Sequence, residues 1–288
     1  MTKCSNIIAG CMSWGKWGKQ FSIREMITQI QITLEAGITS FDHADIYGDY
    51  TTEQEFGIAF SKSGIERESI QLISKCGIQL VNNARKTKTK HYNTCKDYII
   101  WSVEQSLNNL QTEYLDLLLL HRPSPLMDPK EISEAIYQLK ERGKILDFGV
   151  SNFTPSQVHL LQKSIPVSVN QIEFSLTQHE AMQNGLLDQL LKDEITPMSW
   201  SPLGSYFKEN NKANQRIKKA LEKLAKKYKV TEAQLLLAWI LNHPSQVIPV
   251  IGTTNKKRIK NAVESLEIDL ALEDWFLLLE RSQGHPVL

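Results

Sequence analysis

The chain has few cysteines, no long apolar run, no excess of one charge and no glycine fingerprint of a nucleotide fold. Cys4, Cys11, Cys76 and Cys95 form no C-x-x-C pair and no zinc spacing, which excludes a disulfide framework or a zinc module as the organiser of the fold. The longest purely apolar stretches, such as LDLLLL from residue 115, have the length of a core strand and fall far short of a bilayer span. The opening MTKCSNII lacks the apolar h-region of a secretion signal. With reduced thiols as the default, the expected location is cytoplasmic. Thirty-three basic residues against thirty-two acidic ones create no global field, so neither nucleic acid nor an anionic membrane is an expected partner. The one basic cluster, ARKTKTKH at 84–91, has no stacking residue before Tyr92 and reads as a solvated loop. G-x-G-x-x-G and G-x-S-x-G are both absent, leaving a Rossmann nucleotide site and a serine-hydrolase elbow unsupported.

What is present is material for one large core: 41% of the 288 residues are hydrophobic and 23% charged, an ordinary globular balance. Short apolar runs alternate with longer amphipathic segments along nearly the whole length, the rhythm of a parallel sheet. Strands are expected at 6–11, 38–42, 70–75, 115–121, 145–151, 167–172, 195–201 and 247–251. Helix signals fall between them. Ser22 caps a run over 23–36 that Gly37 closes, Pro129 opens a helix that ends at Gly143, and Thr154-Pro155 opens another. Eight strand-and-helix units without a Gly/Ser-rich linker imply an α/β fold, a single (β/α)8 TIM barrel domain over 1–288.

Barrel chemistry gathers at the carboxyl ends of the strands. The last polar residues there are Asp42, Lys75, His121, Ser151-Asn152, Gln171 and Ser201, with Tyr47 in the second loop. Taken alone, Asp42 reads as a cap, Lys75 as a solvated loop residue and His121 as structural. Taken together, Asp42 and Lys75 form a candidate buried ion pair, whose ammonium would lower the pKa of the Tyr47 phenol. His121, stopped by Arg122-Pro123, would then reach a substrate oxygen. A metal site at Asp42, His43 and Asp45 is disfavoured, because strand alternation turns His43 away from Asp42 and Lys75 puts a cation beside the supposed metal. After the eighth strand, GTTNKKRIKNAVESL places Lys256, Lys257 and Arg258 in the first turns of a helix. Cations oppose the dipole there, which makes sense if an anion binds at that end. A merely basic, exposed helix start is the other reading. Trp14, Trp17 and Tyr50 line the entrance or pack its rim.

FDHADIYG, LISK, LDLLLLHRP, FGVSN, VNQIEFS, SWSPLG and VIPVIGTTNKKRI, in this order and at this spacing, resemble the aldo-keto reductase family over essentially the whole chain. The helix start and short ending resemble its bacterial subgroup of oxidoreductases with short C-terminal tails. The resemblance implies a catalytic tetrad of Asp42, Tyr47, Lys75 and His121 beneath a nicotinamide. Ser151, Asn152 and Gln171 would hold its carboxamide. Trp200 would stack on the ring, in place of the tyrosine most members carry. Ser201 and Leu203 would meet the pyrophosphate. Thr253, Thr254, Lys256 and Arg258 would bind the adenosine 2′-phosphate, favouring NADPH/NADP+ over NADH, and Gly252 before them would also belong to the cofactor site. The chain departs from the family at Asn261-Ala262, where a Glu-Asn pair often contacts adenine, so only Asn261 is carried over. The implied activity is reversible reduction of small aldehydes or ketones by a monomer or weak homo-oligomer, with no metal. A cofactor-sensing regulatory barrel with little turnover is the alternative.

Overall fold

The computed structural model describes residues 4–83 and 85–287. Eight strands close a parallel barrel: β1 (Ile8–Gly10), β2 (Ser40–Asp42), β3 (Gln71–Cys76), β4 (Leu115–Leu120), β5 (Ile145–Ser151), β6 (Val169–Glu173), β7 (Thr196–Trp200) and β8 (Ile248–Ile251). Each pairs with the next, and β8 closes on β1 through Ile8 opposite Val250 and Ala9 opposite Ile251. All eight expected strands are present, trimmed by up to two residues at most ends.

The helices between them are α1 (Ile23–Glu35), α2 (Thr52–Ser61), α3 (Lys96–Leu110), α4 (Pro129–Glu141), α5 (Pro155–Gln162), α6 (Leu186–Lys192), α7 (Lys212–Tyr228), α8 (Glu232–Leu241), α9 (Lys256–Glu264) and α10 (Leu272–Gln283). Local chemistry sets their ends. Ser22 and Glu25 form a reciprocal capping box on α1, and Thr154 and Gln157 form another on α5 behind Pro155. Between α2 and α3 the close approach demands Gly57, since a Cβ there would lie 2.1 Å from the carbonyl oxygen of Asn109.

Strand alternation divides the apolar side chains into two sets. Ile8, Ile73, Leu117, Leu119, Val169, Met198 and Val250 fill the barrel interior, making it a packed core and not a pore. Phe41, Leu72, Leu118, Leu120, Phe148 and Val150 face outward against the helices. Burying one such side chain stabilises by about 1.5–3 kcal/mol. Because Ile73 and Leu119 point inward, so does Lys75, two residues beyond Ile73. By the same alternation Phe41 points out and Asp42 in.

One excursion escaped the sequence reading. After β3, Ile78–Gln79 pairs antiparallel with His91–Tyr92, and the Leu80 amide just beyond donates to the Tyr50 hydroxyl. The strands are two residues long, too short for alternation to register. The basic cluster is also not wholly solvated: Arg85 is half-buried, with its guanidinium 3.5 Å from the Tyr50 ring centroid and 5.0 Å from that of Trp101.

Candidate active site

The carboxyl ends of β2 and β3 bring Asp42 and Lys75 together at 2.7 Å, with exposures of 3% and 1%. The ammonium has two further acceptors, the His43 carbonyl at 2.9 Å and the Tyr47 hydroxyl at 3.1 Å. Burial penalises its charge, yet the Asp42 carboxylate and the Tyr47 phenol more than offset this and leave its pKa raised. The other Asp42 oxygen accepts from the Gln171 amide at 2.9 Å, which satisfies a carboxylate that would be costly if left alone. Asp42 is therefore the partner of Lys75 and caps nothing. His43 points the opposite way, fully buried with its ring 4.4 Å from that of Phe56, and burial pushes its pKa down to about 3.

Tyr47 enters this cluster through an unusual turn. The three residues after it, Gly48, Asp49 and Tyr50, all have positive φ, at 62°, 58° and 75°. Such backbone costs of order 1–3 kcal/mol per non-glycine residue and persists only where surroundings enforce it. Here they do: Asp49 accepts from Lys16 at 2.6 Å and from the Trp17 indole at 3.1 Å, while the Tyr50 hydroxyl accepts from the Leu80 amide at 2.9 Å. A Cβ on Gly48 would meet Thr52 Oγ1 at 2.4 Å.

The phenol pKa moves contrary to the sequence expectation. Burial raises it, and the opposing pull of Lys75 does not overcome that. Tyr47 consequently keeps its proton at physiological pH and is a donor. His121, just beyond β4, lies with its ring 6.1 Å from that of Tyr47. Burial, then the charges of Lys75, Arg122 and Lys90, lower its pKa well below the usual value. The imidazole is neutral, and its Nδ1 has no partner among the described residues.

Across the mouth, Asn152 sits at φ 62° and Ser201 at φ 50°. The Asn152 carbonyl oxygen accepts from the Trp200 indole at 2.9 Å, and its amide donates to Ser151 Oγ at 2.7 Å. Ser151 in turn donates to the Gln171 carbonyl at 2.9 Å. Ser151, Asn152, Gln171 and Trp200 therefore form one connected chain that ends on Asp42. Leu203 is half-exposed on the loop that follows Ser201.

Gly252, Thr253 and Thr254 lead from β8 to α9, where Asn255 caps the helix by accepting from the Arg258 amide at 3.1 Å. The first turn holds Lys256, Lys257 and Arg258 and no acid. Lys256 is already engaged with Glu35 at 3.1 Å in an exposed pair, whereas Lys257 and Arg258 have no ion-pair partner among the described residues. Asn261 is half-exposed and Ala262 buried.

Two entrance residues behave differently from the third. Trp17 is 41% exposed, with its ring 6.1 Å from that of Tyr47, and Tyr50 buttresses the 80–92 segment. Trp14 does not line the entrance. It is 1% exposed and packs edge-on against Phe21 and Phe41 and tilted against Phe56, because its place after the short β1 turns it toward the helix layer. Asp45 does not serve an exposed loop: it is buried, accepting from Ser102 at 3.1 Å and Tyr98 at 3.3 Å, and burial pushes its pKa up to about 7.

Known proteins share both sequence and fold. YcsN of Bacillus subtilis, an uncharacterized oxidoreductase, is 40% identical, covering 98% of this chain and 96% of its own. A 6-dehydroglucose reductase of Agrobacterium fabrum is 38% identical over 90% of this chain and 88% of its own. The crystal structure of an aldo/keto reductase from Klebsiella pneumoniae in complex with NADP and acetate superposes with a TM-score of 0.80, at 24% identity over 98% of this chain and 93% of that one. The Aldo/keto reductase family model matches residues 6–279, and together with the barrel it means that this chain belongs to the aldo/keto reductase family and is an oxidoreductase.

Proposed function

We propose that the protein reduces aldehydes or ketones to alcohols with NADPH, Tyr47 acting as the general acid. The observation that carries this reading is the buried Asp42–Lys75–Tyr47 cluster facing a neutral His121.

The residues at the mouth fit a nicotinamide dinucleotide. The indole of Trp200 is held in place by Asn152 and offers a stacking face, with Ser151, Asn152 and Gln171 offering polar groups for a carboxamide. Ser201 and Leu203 flank the path toward Gly252, Thr253 and Thr254. The acid-free start of α9, with Arg258 unpaired among the described residues, suits a 2′-phosphate through backbone N–H groups and a guanidinium. That feature favours NADPH over NADH. Asn261 is the residue nearest in sequence to serve adenine. When bound, the reduced cofactor supplies the hydride that the carbonyl carbon takes up.

The chain's own residues handle the proton. Neutral His121 orients the carbonyl oxygen and shares its negative charge as it grows. Tyr47 gives its proton to that oxygen, so a carbonyl becomes a hydroxyl and the phenol a phenolate. Lys75 stabilises the phenolate at 3.1 Å, and Asp42 and Gln171 keep Lys75 charged and aimed. Positioned acids of this kind contribute about 10²–10⁴-fold.

The test is turnover of an aldehyde panel with NADPH and NADH in parallel, followed at the reduced-cofactor absorbance. Tyr47→Phe should lower kcat by two orders of magnitude or more while NADPH still quenches tryptophan fluorescence at wild-type concentrations. Full activity in Y47F would remove Tyr47 as the acid, and equal kcat/KM with both cofactors would remove the 2′-phosphate role of α9.

A further inference from the structure

The mouth carries cations that the proton-transfer scheme above leaves unused. Arg122 follows His121 directly in a bend, and Pro123 after it disfavours helical backbone there. Its guanidinium lies 5.6 Å from the ring centroid of Trp200, on the opposite side of the barrel. Among the described residues it makes no hydrogen bond and no ion pair. Lys90, exposed on the 80–92 segment, also has no carboxylate partner among them, yet stands near enough to His121 to act on its charge.

Three of the acids near the site are engaged elsewhere, while Glu173, paired in register with Trp200, is exposed at the end of β6. Asp42 is held by Lys75 and Gln171, Asp49 by Lys16 and Trp17, and Asp45 by Tyr98 and Ser102. On a chain whose formal net charge is only +1, Arg122 and Lys90 both bear on His121 without an ion-pair partner among the described residues, which makes the surroundings of that imidazole locally positive. A lysine there alone would be an ordinary solvated side chain. An arginine seated on an indole face is different, since its planar fork is pre-oriented and its N–H edge is left free for a two-point contact with an anion.

We propose that Arg122, assisted by Lys90, binds an anionic group on the substrate, selecting aldehydes or ketones that carry a carboxylate or a phosphate a few bonds from the carbonyl carbon. This deepens the reductase reading and rests on it. The carbonyl is presented to Tyr47 and His121 while the charged end pairs with the guanidinium, so the anion orients the substrate and the hydrogen-bonding pair need only polarise it. Binding energy gained at that remote charge appears mainly in KM.

The experiment compares matched pairs with NADPH: succinic semialdehyde against butanal, and glyceraldehyde 3-phosphate against glyceraldehyde. The wild-type protein should favour the anionic member of at least one pair by tenfold or more in kcat/KM, and which pair responds identifies carboxylate or phosphate. Raising the salt concentration should shrink that ratio. Arg122→Met should lower it at least tenfold, chiefly through KM, with Arg122→Lys retaining part and Lys90→Met losing a smaller part. Wild-type turnover of the neutral aldehydes without any anionic preference would overturn this proposal and leave the reductase reading standing. An R122M protein that loses NADPH quenching in place of substrate discrimination would equally overturn it, assigning Arg122 to the cofactor. Absence of turnover with every compound would overturn the reductase reading and this one with it.

Discussion

Replacing Lys75 by methionine removes the cation from a site where its partner carboxylate is 3% exposed. What remains to Asp42 is the Gln171 amide at 2.9 Å. An unpaired buried charge of this kind costs about 3–5 kcal/mol. The penalty has a ceiling, because the protein can take up a proton instead: neutralising an ordinary carboxyl at pH 7 costs about three units at about 1.4 kcal/mol each, or about 4 kcal/mol. Asp42→Asn leaves the complementary defect, a buried ammonium without its carboxylate, bounded in the same way at about 5 kcal/mol. The double variant D42N/K75M removes both charges and leaves groups of similar volume, so it should be milder than either single change. The assay is urea unfolding followed by the fluorescence of the six tryptophans, at pH 7 and again at pH 5. K75M should regain stability at the lower pH, since protonation removes the stranded charge, whereas the double variant should not. Additive losses in the double variant, or a K75M penalty below about 1 kcal/mol that ignores pH, would refute the account of this pair as mutually dependent.

Two further predictions concern side chains outside the proton-transfer cluster. Asp45 has its pKa raised to about 7 by burial, so the native state holds its proton more tightly than the unfolded chain, and stability is lost as pH rises from about 4 to about 7, by up to about 4 kcal/mol. His43, lowered to about 3, has the opposite sign: its neutral buried ring loses stability as pH falls from about 6.5 to about 3. The windows overlap and oppose, so Asp45→Asn should unmask a stability that climbs between pH 4 and 6.5, read from melting temperatures across that range. A D45N profile that climbs no more steeply than the wild type's would contradict it. Trp14→Ala should cost about 3–5 kcal/mol by emptying a core site and Trp17→Ala under about 1 kcal/mol, measured by the same denaturant titration; similar losses for both would place Trp14 back at the rim.

The sequence by itself determined the barrel. Eight apolar runs bounded by turn residues, with caps such as Ser22 and Thr154-Pro155 between them, encode secondary structure locally, and eight successive strand-and-helix units without a linker match the count of one closed parallel barrel. It also determined which polar residues stand at the strand ends, since alternation and the position of the last apolar residue fix where Asp42, Lys75 and His121 emerge. Tertiary structure decided what those residues are to one another. The rise in the Tyr47 pKa, against the pull of Lys75, depends on how deeply the phenol is buried, a property of packing that no spacing records. Trp14 and Trp17 are three residues apart with the same side chain, yet one fills the helix layer and the other stands beside Tyr47, because β1 ends between barrel and loop in a way only the folded chain defines. The left-handed turn at Gly48, Asp49 and Tyr50, the pairing of Ile78–Gln79 with His91–Tyr92 and the seat of Arg122 on Trp200 likewise arise from contacts that no local pattern records. Local pattern sets where a side chain leaves its strand; burial and the neighbours brought by closure set its charge, its partner and its use.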